Sequence, residues 1–321
     1  GGKLNSLGTN AKLGQGEFLV AEADESDGSF LKLSPTIAVV TTIDEEHLDY
    51  YKDINEIKDA FLEFINKVPF YGVAVLCLDA GHIQSLIPSV EKRYLTYGTS
   101  TQADYQAQEV SLQPLGSRFK VTHHGQDLGW FEIAIPGIHN VSNSIAAIVV
   151  ARELDVDLEV IRRALKEFSG VQRRFQIKGE AGGIHVVDDY GHHPTEIKAT
   201  LAAAKAAPGR RVVAVFQPHR YSRTQHLLKE FFTAFNQADT VVIMEIYAAG
   251  EHPIPGVSGQ AIYEGIKRHG HKDAVFIADK DKVVDHLAGV LRKGDLVLTL
   301  GAGDVWKLGE RILERIKHEV H

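Results

Sequence analysis

IHVVDDYGHHPTEIKA (184–199) decides the fold of this chain. A short apolar run ends in two aspartates. Pro194 and Thr195 then open a helix, with Glu196 in its first turn. Proline just inside a helix start and an acid near the positive end of its dipole are ordinary helix-opening chemistry. The stretch therefore reads as a buried strand, a polar turn and a helix.

The same alternation continues outward. RVVAVF (211–216) leads to a helix expected near 224–236. Further strands are expected at 240–244, 274–277 and 295–300, with helices between them and a last helix after Gly303. This is Rossmann-like alternation. Toward the amino terminus, FLVAEA (18–23) and TIAVVTTI (36–43) read as strands buried on both faces. Asp53 is placed to cap a helix whose apolar stripe is Ile54, Ile57, Phe61, Phe64 and Ile65, and another buried strand follows at 72–79. Residues 104–135 alternate around a GQD turn, which predicts antiparallel strands. Helices are expected after Pro136-Gly137 and at about 157–168. The pattern predicts an α/β protein of two doubly wound domains, 1–170 and 171–321, with the boundary near FSGVQRRF (168–175).

Composition narrows the function classes. The chain has 321 residues, 44% of them hydrophobic and 24% charged, which is ordinary globular usage. Its net charge of −7 gives no reason to expect nucleic acid or an anionic membrane as partner. No run of 18 apolar residues predicts a membrane-spanning helix. The opening residues GGKLNSLGTNAKLGQG do not read as a secretory signal. The single cysteine, Cys77 within GVAVLCLD, reads as a small buried hydrophobe, which fits a reducing compartment.

In open α/β sheets ligands sit at the carboxyl ends of the strands. The strings after the expected strands are EADESDGS (22–29), TIDEEHLDYY (42–51), DDYGHHPTE (188–196), QPHRYSRT (217–224), YAAGE (247–251) and GAGD (301–304). So many polar strand ends are hard to explain as idle loops. Glu22 with Asp44, Glu45, Glu46, His47 and Asp49 reads either as a cation site or as a solvated acidic turn. The carboxylates suit Mg²⁺, whereas histidine alone would favour Zn²⁺ or Mn²⁺. His192 and His193 are adjacent, so they cannot form a metal pair on one helical face; hydrogen bonding to substrate or proton transfer suits them better, unless one merely satisfies backbone groups. Arg220 and Arg223, with His219, can fork a carboxylate or phosphate. Arg173 and Arg174 at the boundary read equally as nucleotide-phosphate contacts and as solvated charges. Asn140 and Asn143 in the first turn of a helix can read an adenine edge or serve as caps. GAGD is a weak signal that mostly means close packing.

Taken together and in order, EADESDGSFL, EHLDYY, PGIHNVSN, GVQRRF, DDYGHHPTE, QPHRYSRT, YAAGE and GAGD resemble the Mur ligase family from the first residue to the last. They are closest to the branch that joins UDP-N-acetylmuramate to L-alanine, with the tripeptide-recycling branch next. The resemblance implies a cytoplasmic peptidoglycan-precursor enzyme with a central ATPase-type domain and a Rossmann-like carboxy-terminal domain. It implies ATP and Mg²⁺ as cofactors, an acyl phosphate intermediate attacked by the L-alanine amine, no nucleic-acid or membrane partner, and a monomer or homodimer. It implies Glu22 and His47 as magnesium ligands, Asn140 and Asn143 as adenine contacts, Arg174 at the nucleotide and Asp189 at the ribose. Tyr190, His192, His219, Arg220 and Arg223 fall around the amino-acid substrate, with the arginines on its carboxylate and His192, Arg220 and Arg223 as the catalytic set. Acidic groups from one domain and basic groups from the other are expected to serve one site.

The sequence departs from the family pattern at two places. Gly2-Lys3 is followed by Leu4 and is not the family's phosphate-binding loop, and no UDP-binding domain precedes it here. On the helix after EHLDYY, Lys58 falls too early and Glu63 nearer to the position where many relatives carry a carbamylated lysine. From the residues alone, a metal-dependent hydrolase built on Glu22, His47 and the His192-His193 pair, and a non-catalytic amino-acid- and adenine-binding fragment, stand as alternatives. Without a phosphate-binding loop the β- and γ-phosphates lose their cradle. The 321 residues alone are therefore expected to show no turnover with ATP, UDP-N-acetylmuramate and L-alanine; turnover would overturn that expectation.

Overall fold

The computed structural model describes residues 2–48, 50–206 and 209–319; Asp49 lies outside them. Two compact units divide the chain, residues 10–169 and residues 2–9 with 170–319.

The first unit contains β1 (Ile37–Val40), α1 (Ile54–Asn66), β2 (Val73–Cys77), α2 (Gly81–Leu86), β3 (Tyr94–Gly98), β4 (Tyr105–Gln113), β5 (Gly116–His123), β6 (Gln126–Ile133), α3 (Ile138–Glu153) and α4 (Leu158–Glu167). Its sheet runs in the order β1-β2-β3-β4-β5-β6. It is parallel from β1 to β4 and antiparallel from β4 to β6. The Asp53 carboxylate accepts the backbone N–H groups of Asn55 and Glu56, and α1 buries Ile57, Phe64 and Ile65. Cys77 is buried in β2.

The second unit contains β7 (Gln176–Ala181), β8 (Ile184–Asp189), α5 (Pro194–Ala204), β9 (Val212–Phe216), α6 (Tyr221–His226), α7 (Leu228–Ala234), β10 (Thr240–Ile243), α8 (Gly259–Arg268), β11 (Ala274–Phe276), α9 (Lys280–Val290), β12 (Leu296–Leu300) and α10 (Trp306–Glu319). The sheet order is β11-β10-β9-β12-β8-β7, parallel except for β7. β8, β9 and β12 are buried almost throughout, as strands covered by helices on both faces must be. Ile197 and Leu201 of α5, Phe231 of α7 and Ile262 of α8 share one core. Val283 and Leu287 of α9 pack with Leu308 and Ile312 of α10 in the other. Each such side chain contributes about 1.5–3 kcal/mol on burial. The chain thus leaves β8 and β9 toward one face and β12, which lies between them, toward the other. That reversal opens a crevice at the carboxyl ends of these three strands. Residues 2–9 belong to this unit through an antiparallel bridge between Leu4 and Val171 and the bond from Gln172 N–H to the Lys3 carbonyl (2.8 Å).

The structure corrects several expectations. FLVAEA (18–23) forms no strand, and Phe18, Leu19 and Val20 are exposed. Among the described residues β1 pairs only with β2, so this β-prone run has no ladder to join, and propensity without a neighbour does not make a strand. Glu22 and the acidic string after it therefore follow no strand. β1 is shorter than expected and, as an edge strand, leaves Val39 exposed. The helix expected at 224–236 is two helices that meet at Leu227. Strands β3 and β7 were not anticipated.

Gly72 lies against the Thr36 carbonyl, which accepts the Val73 N–H (3.1 Å). A Cβ on Gly72 would stand 2.1 Å from that oxygen. Gly72→Ala is expected to destabilise the first unit by about 1–3 kcal/mol, read as a lower urea midpoint for β1 and β2; an unchanged midpoint contradicts the close approach.

Candidate functional site

Two buried carboxylates at the end of β8 organise the second unit's crevice. Asp188 is 1% exposed and accepts the Thr299 hydroxyl (2.7 Å) and the Arg173 Nε–H (3.2 Å). Arg173 also donates to the Gly301 carbonyl (2.5 Å), so it ties the segment before β7 to the turn after β12. Asp189 accepts two backbone amides, Phe175 N–H and Gly191 N–H, each at 2.7 Å. Burial pushes the Asp188 carboxyl above the ordinary carboxylate range and that of Asp189 to about 6; the bonds each accepts pull the other way. Arg173 (φ 61°) and Phe175 (φ 44°) hold the left-handed backbone that these bonds fix.

The turn after β8 presents the next groups. His193 caps α5, its Nδ1 accepting the Thr195 N–H (3.3 Å), and Glu196 completes a capping box. Of the two adjacent histidines, His193 is thus the one that caps the helix. Glu196 accepts the His192 N–H (3.0 Å) and pairs with Arg174 (2.9 Å). Burial raises the Glu196 carboxyl, but His192, Arg174 and the His192 N–H outweigh it and leave the pKa below the ordinary value. His192 Nδ1 lies 3.1 Å from the Tyr190 carbonyl and 3.5 Å from Glu196 Oε2. Both are acceptors, so Nδ1 carries a proton in this arrangement. Arg173 and Arg174 stand 5.0 and 5.5 Å from the Tyr190 ring centroid.

The loop after β9 faces this turn. His192 and His219 ring centroids are 6.2 Å apart, and His219 stacks on Tyr247 at 5.6 Å and 8°. Arg223 Nη1 donates to His219 Nδ1 (3.2 Å). Arg220, at φ 67°, gives its N–H to the Tyr247 carbonyl (2.9 Å) and takes the Thr224 hydroxyl on its own carbonyl (2.8 Å). Burial, then the charges of Arg223, His192 and Arg220, push the His219 imidazole down to about 4. The crevice therefore presents two guanidinium groups beside an uncharged ring, a setting for one carboxylate or phosphate. Gly301 and Gly303 allow the turn after β12 to close on Gln217; a Cβ on either would stand within 2.6 Å of a Gln217 oxygen. GAGD is thus a packing feature.

Arg174, Asp189, Tyr190, His192, His219, Arg220 and Arg223 are therefore gathered in one unit. The remaining expected residues lie in the other. Glu22 is exposed. His47, at φ 57°, holds its Nε2 3.5 Å from Glu25 Oε1, and the Glu25 carbonyl accepts the Tyr51 hydroxyl (2.6 Å). Asp24 and Asp27 accept the backbone N–H groups of Ser26 and Ser29, and hydrogen bonding from those serine side chains, then from the amides, holds both carboxyls below the ordinary range. Among the described residues no group of three or more His, Cys, Asp or Glu is arranged to hold a metal ion. The Glu25 carboxylate held beside His47 is the kind of donor that suits Mg²⁺, which commonly takes one or two carboxylates and completes its shell with water and phosphate oxygens. On α3, Asn140 donates its amide to the Pro136 carbonyl (2.7 Å), and Asn143 is exposed.

Arg173, Asp188, Glu196, Tyr247 and Glu251 of the second-unit cluster were not among the expected site residues. Arg173 was read together with Arg174 as a nucleotide-phosphate contact or a solvated charge, and Glu196 as a helix-dipole residue. Tyr247 and Glu251 lie in YAAGE, a string whose strand-end position was the one signal that marked them.

Comparison with known proteins follows from this geometry. Residues 3–151 match the Mur ligase middle domain, and residues 173–303 match the Mur ligase glutamate ligase domain. The chain is similar to UDP-N-acetylmuramate–L-alanine ligase of Syntrophotalea carbinolica, 62% identical over 98% of this chain and 69% of that protein. It is similar also to the ligase of that name from Geotalea daltonii, 58% identical over 99% of this chain and 69% of that protein. Among solved structures, UDP-N-acetylmuramate-alanine ligase MurC of Thermotoga maritima superposes with a TM-score of 0.79 at 28% identity, over 99% of this chain and 68% of that one.

The His219 assignment has a direct check. The imidazole is depressed in the folded state from 6.5 to about 4, so it stays neutral there while the unfolded chain takes up its proton first. Stability from this group is present above pH 6.5 and is lost as pH falls toward 4. An NMR titration of the folded protein should show His219 neutral at pH 5.5; a midpoint near 6.5 contradicts the assignment.

Proposed function

This chain belongs to the Mur ligase family, and we propose on that basis that its intact natural protein catalyses ATP-dependent amide-bond formation between UDP-N-acetylmuramate and L-alanine, a cytoplasmic step of peptidoglycan precursor synthesis. The observation that carries the reading is the convergence of Arg220, Arg223 and a neutral His219 at the crevice where β12 enters between β8 and β9.

The residues divide the work by chemistry. Arg220 and Arg223 bind the carboxylate of L-alanine by charge-assisted bonds. His219 carries no charge, so the arginines' field acts on that carboxylate without a third cation beside it. His192 is protonated at Nδ1, and its Nε2 accepts the proton that the alanine ammonium must lose before the amine can attack. The rings of Tyr190 and His219 both neighbour His192 and are assigned to the place of the small side chain. Arg174, held by Glu196, and Asp189, at the same turn, are assigned to the nucleotide. In the first unit Asn140 keeps its Oδ1 as an acceptor for the adenine amino group, with Asn143 one turn on. Glu22 and His47 would hold Mg²⁺, which when bound offsets the charge of the transferring phosphoryl oxygens. The chemistry that remains is positioning and charge neutralisation, which needs no protein nucleophile.

In the intact natural protein, ADP release should require UDP-N-acetylmuramate and L-alanine together. Arg223→Ala removes one charge-assisted pair of about 1.5–3 kcal/mol and should raise KM for L-alanine roughly 10- to 100-fold while leaving KM for ATP within about twofold. ADP release indifferent to L-alanine would contradict the reading.

A further inference from the structure

The loop after β10 grips the loop that carries the arginines. Tyr247 gives its N–H to the Pro218 carbonyl (2.8 Å), takes the Arg220 N–H on its own carbonyl (2.9 Å), and stacks its ring on His219. Two residues on, the chain turns through Ala249 at φ 50° and Gly250, and the Glu251 N–H closes the turn on the Ala248 carbonyl (3.0 Å). That turn delivers the Glu251 carboxylate to Ser222, which lies between Arg220 and Arg223. Oε2 accepts the Ser222 N–H (3.0 Å), and Oε1 accepts the Ser222 hydroxyl (2.6 Å). Both oxygens of one carboxylate thus hold the single residue from which the two guanidinium-bearing chains diverge.

β9 and β10 are neighbours in the sheet and bring the two loops side by side; their ladder ends at Phe216 and Ile243, and past it a single parallel bridge between His219 and Tyr247 joins the loops without involving Glu251 or Ser222. Beyond it, Arg220 has a left-handed backbone that a non-glycine residue adopts only when its surroundings insist. The start of α6 also has N–H groups with no helical partner, and Glu251 satisfies one of them at Ser222.

We propose that Glu251 is a positioning residue for the carboxylate of the acceptor amino acid: it fixes Ser222 and so sets the separation and aim of the Arg220 and Arg223 guanidinium groups. This rests on the reading of the crevice as an amino-acid site. Glu251 also supplies a negative charge beside two cations in the absence of substrate. Partial burial raises its carboxyl, but the Ser222 bonds and the charge of Arg220 outweigh that and keep it ionised well below neutral pH.

The test compares Glu251→Ala and Ser222→Ala with the unmutated, intact natural protein, using L-alanine and L-alaninamide as acceptors. L-Alaninamide keeps the amine and the methyl group but has no carboxylate for the arginines to hold. In Glu251→Ala, KM for L-alanine is expected to rise about tenfold, with KM for ATP and for UDP-N-acetylmuramate within about twofold. The preference for L-alanine over L-alaninamide in kcat/KM is expected to fall by a similar factor. Ser222→Ala keeps the backbone bond and loses only the hydroxyl bond, so it should move the same quantities in the same direction by less. This second variant tests the idea even if Glu251→Ala fails to fold. An active protein in which either variant raises all three KM values alike, or leaves the L-alanine preference untouched, overturns the positioning role alone. Absence of L-alanine-dependent ADP release from the unmutated protein overturns the functional reading and this role with it.

Discussion

Arg220 holds a backbone angle of φ 67°, and the bonds around it keep it there. An L-residue in that region costs about 1–2 kcal/mol. The Tyr247 carbonyl on its N–H and the Thr224 hydroxyl on its carbonyl offset that cost. The bend turns the chain out of β9 and into α6, so that Arg220 and Arg223 leave the sheet edge one helical turn apart. An ordinary extended residue here would carry the chain past the crevice. The same device recurs in the second unit, where Arg173 and Phe175 are left-handed and are held by Asp188 and Asp189; in the first unit His47 is left-handed beside Glu25. Strain of this kind persists only where neighbours over-determine it.

The sheet supplies those neighbours. β12 is the last strand in sequence and yet lies between β8 and β9. Its helix leaves for the opposite face, so the three turns after these strands surround an opening rather than a packed helix start. Gly301 and Gly303 let one of those turns close on Gln217, and Arg173 reaches across to the Gly301 carbonyl. Charge is balanced within the crevice by Asp188, Asp189, Glu196 and Glu251 against four arginines. None of those four carboxylates is left to solvate itself: each accepts backbone, hydroxyl or arginine donors.

How much of this was legible in the sequence follows from which interactions are local. β8, β9, β10 and β12 were readable because each carries a run of Val, Ile, Leu or Phe buried on both faces, with a polar turn after it; β11, at the sheet edge and only partly buried, was readable from its short apolar run. The grouping of DDYGHH with QPHRYSR was readable from the rule that ligands gather at strand ends. The strand expected at 18–23 was not real, because a strand depends on a partner that composition does not reveal. β7 was missed because QIKGEA is half-exposed and polar, and the split at Leu227 because both helices share one apolar pattern. The roles of Arg173, Tyr247 and Glu251 depend on bonds between residues tens of positions apart, such as Ser222 to Glu251 and Arg173 to Gly301. No spacing within a single segment encodes those.

The central claim is that the acceptor amino acid is held by its carboxylate at the carboxyl edge of the second sheet. A crystal structure of the intact natural protein with L-alanine and a non-hydrolysable ATP analogue tests it most directly. The account predicts the alanine carboxylate within hydrogen-bond distance, about 2.7–2.9 Å, of donors on both Arg220 and Arg223, with its amine toward His192. A carboxylate bound elsewhere, with those two guanidinium groups facing solvent or phosphate instead, would contradict it.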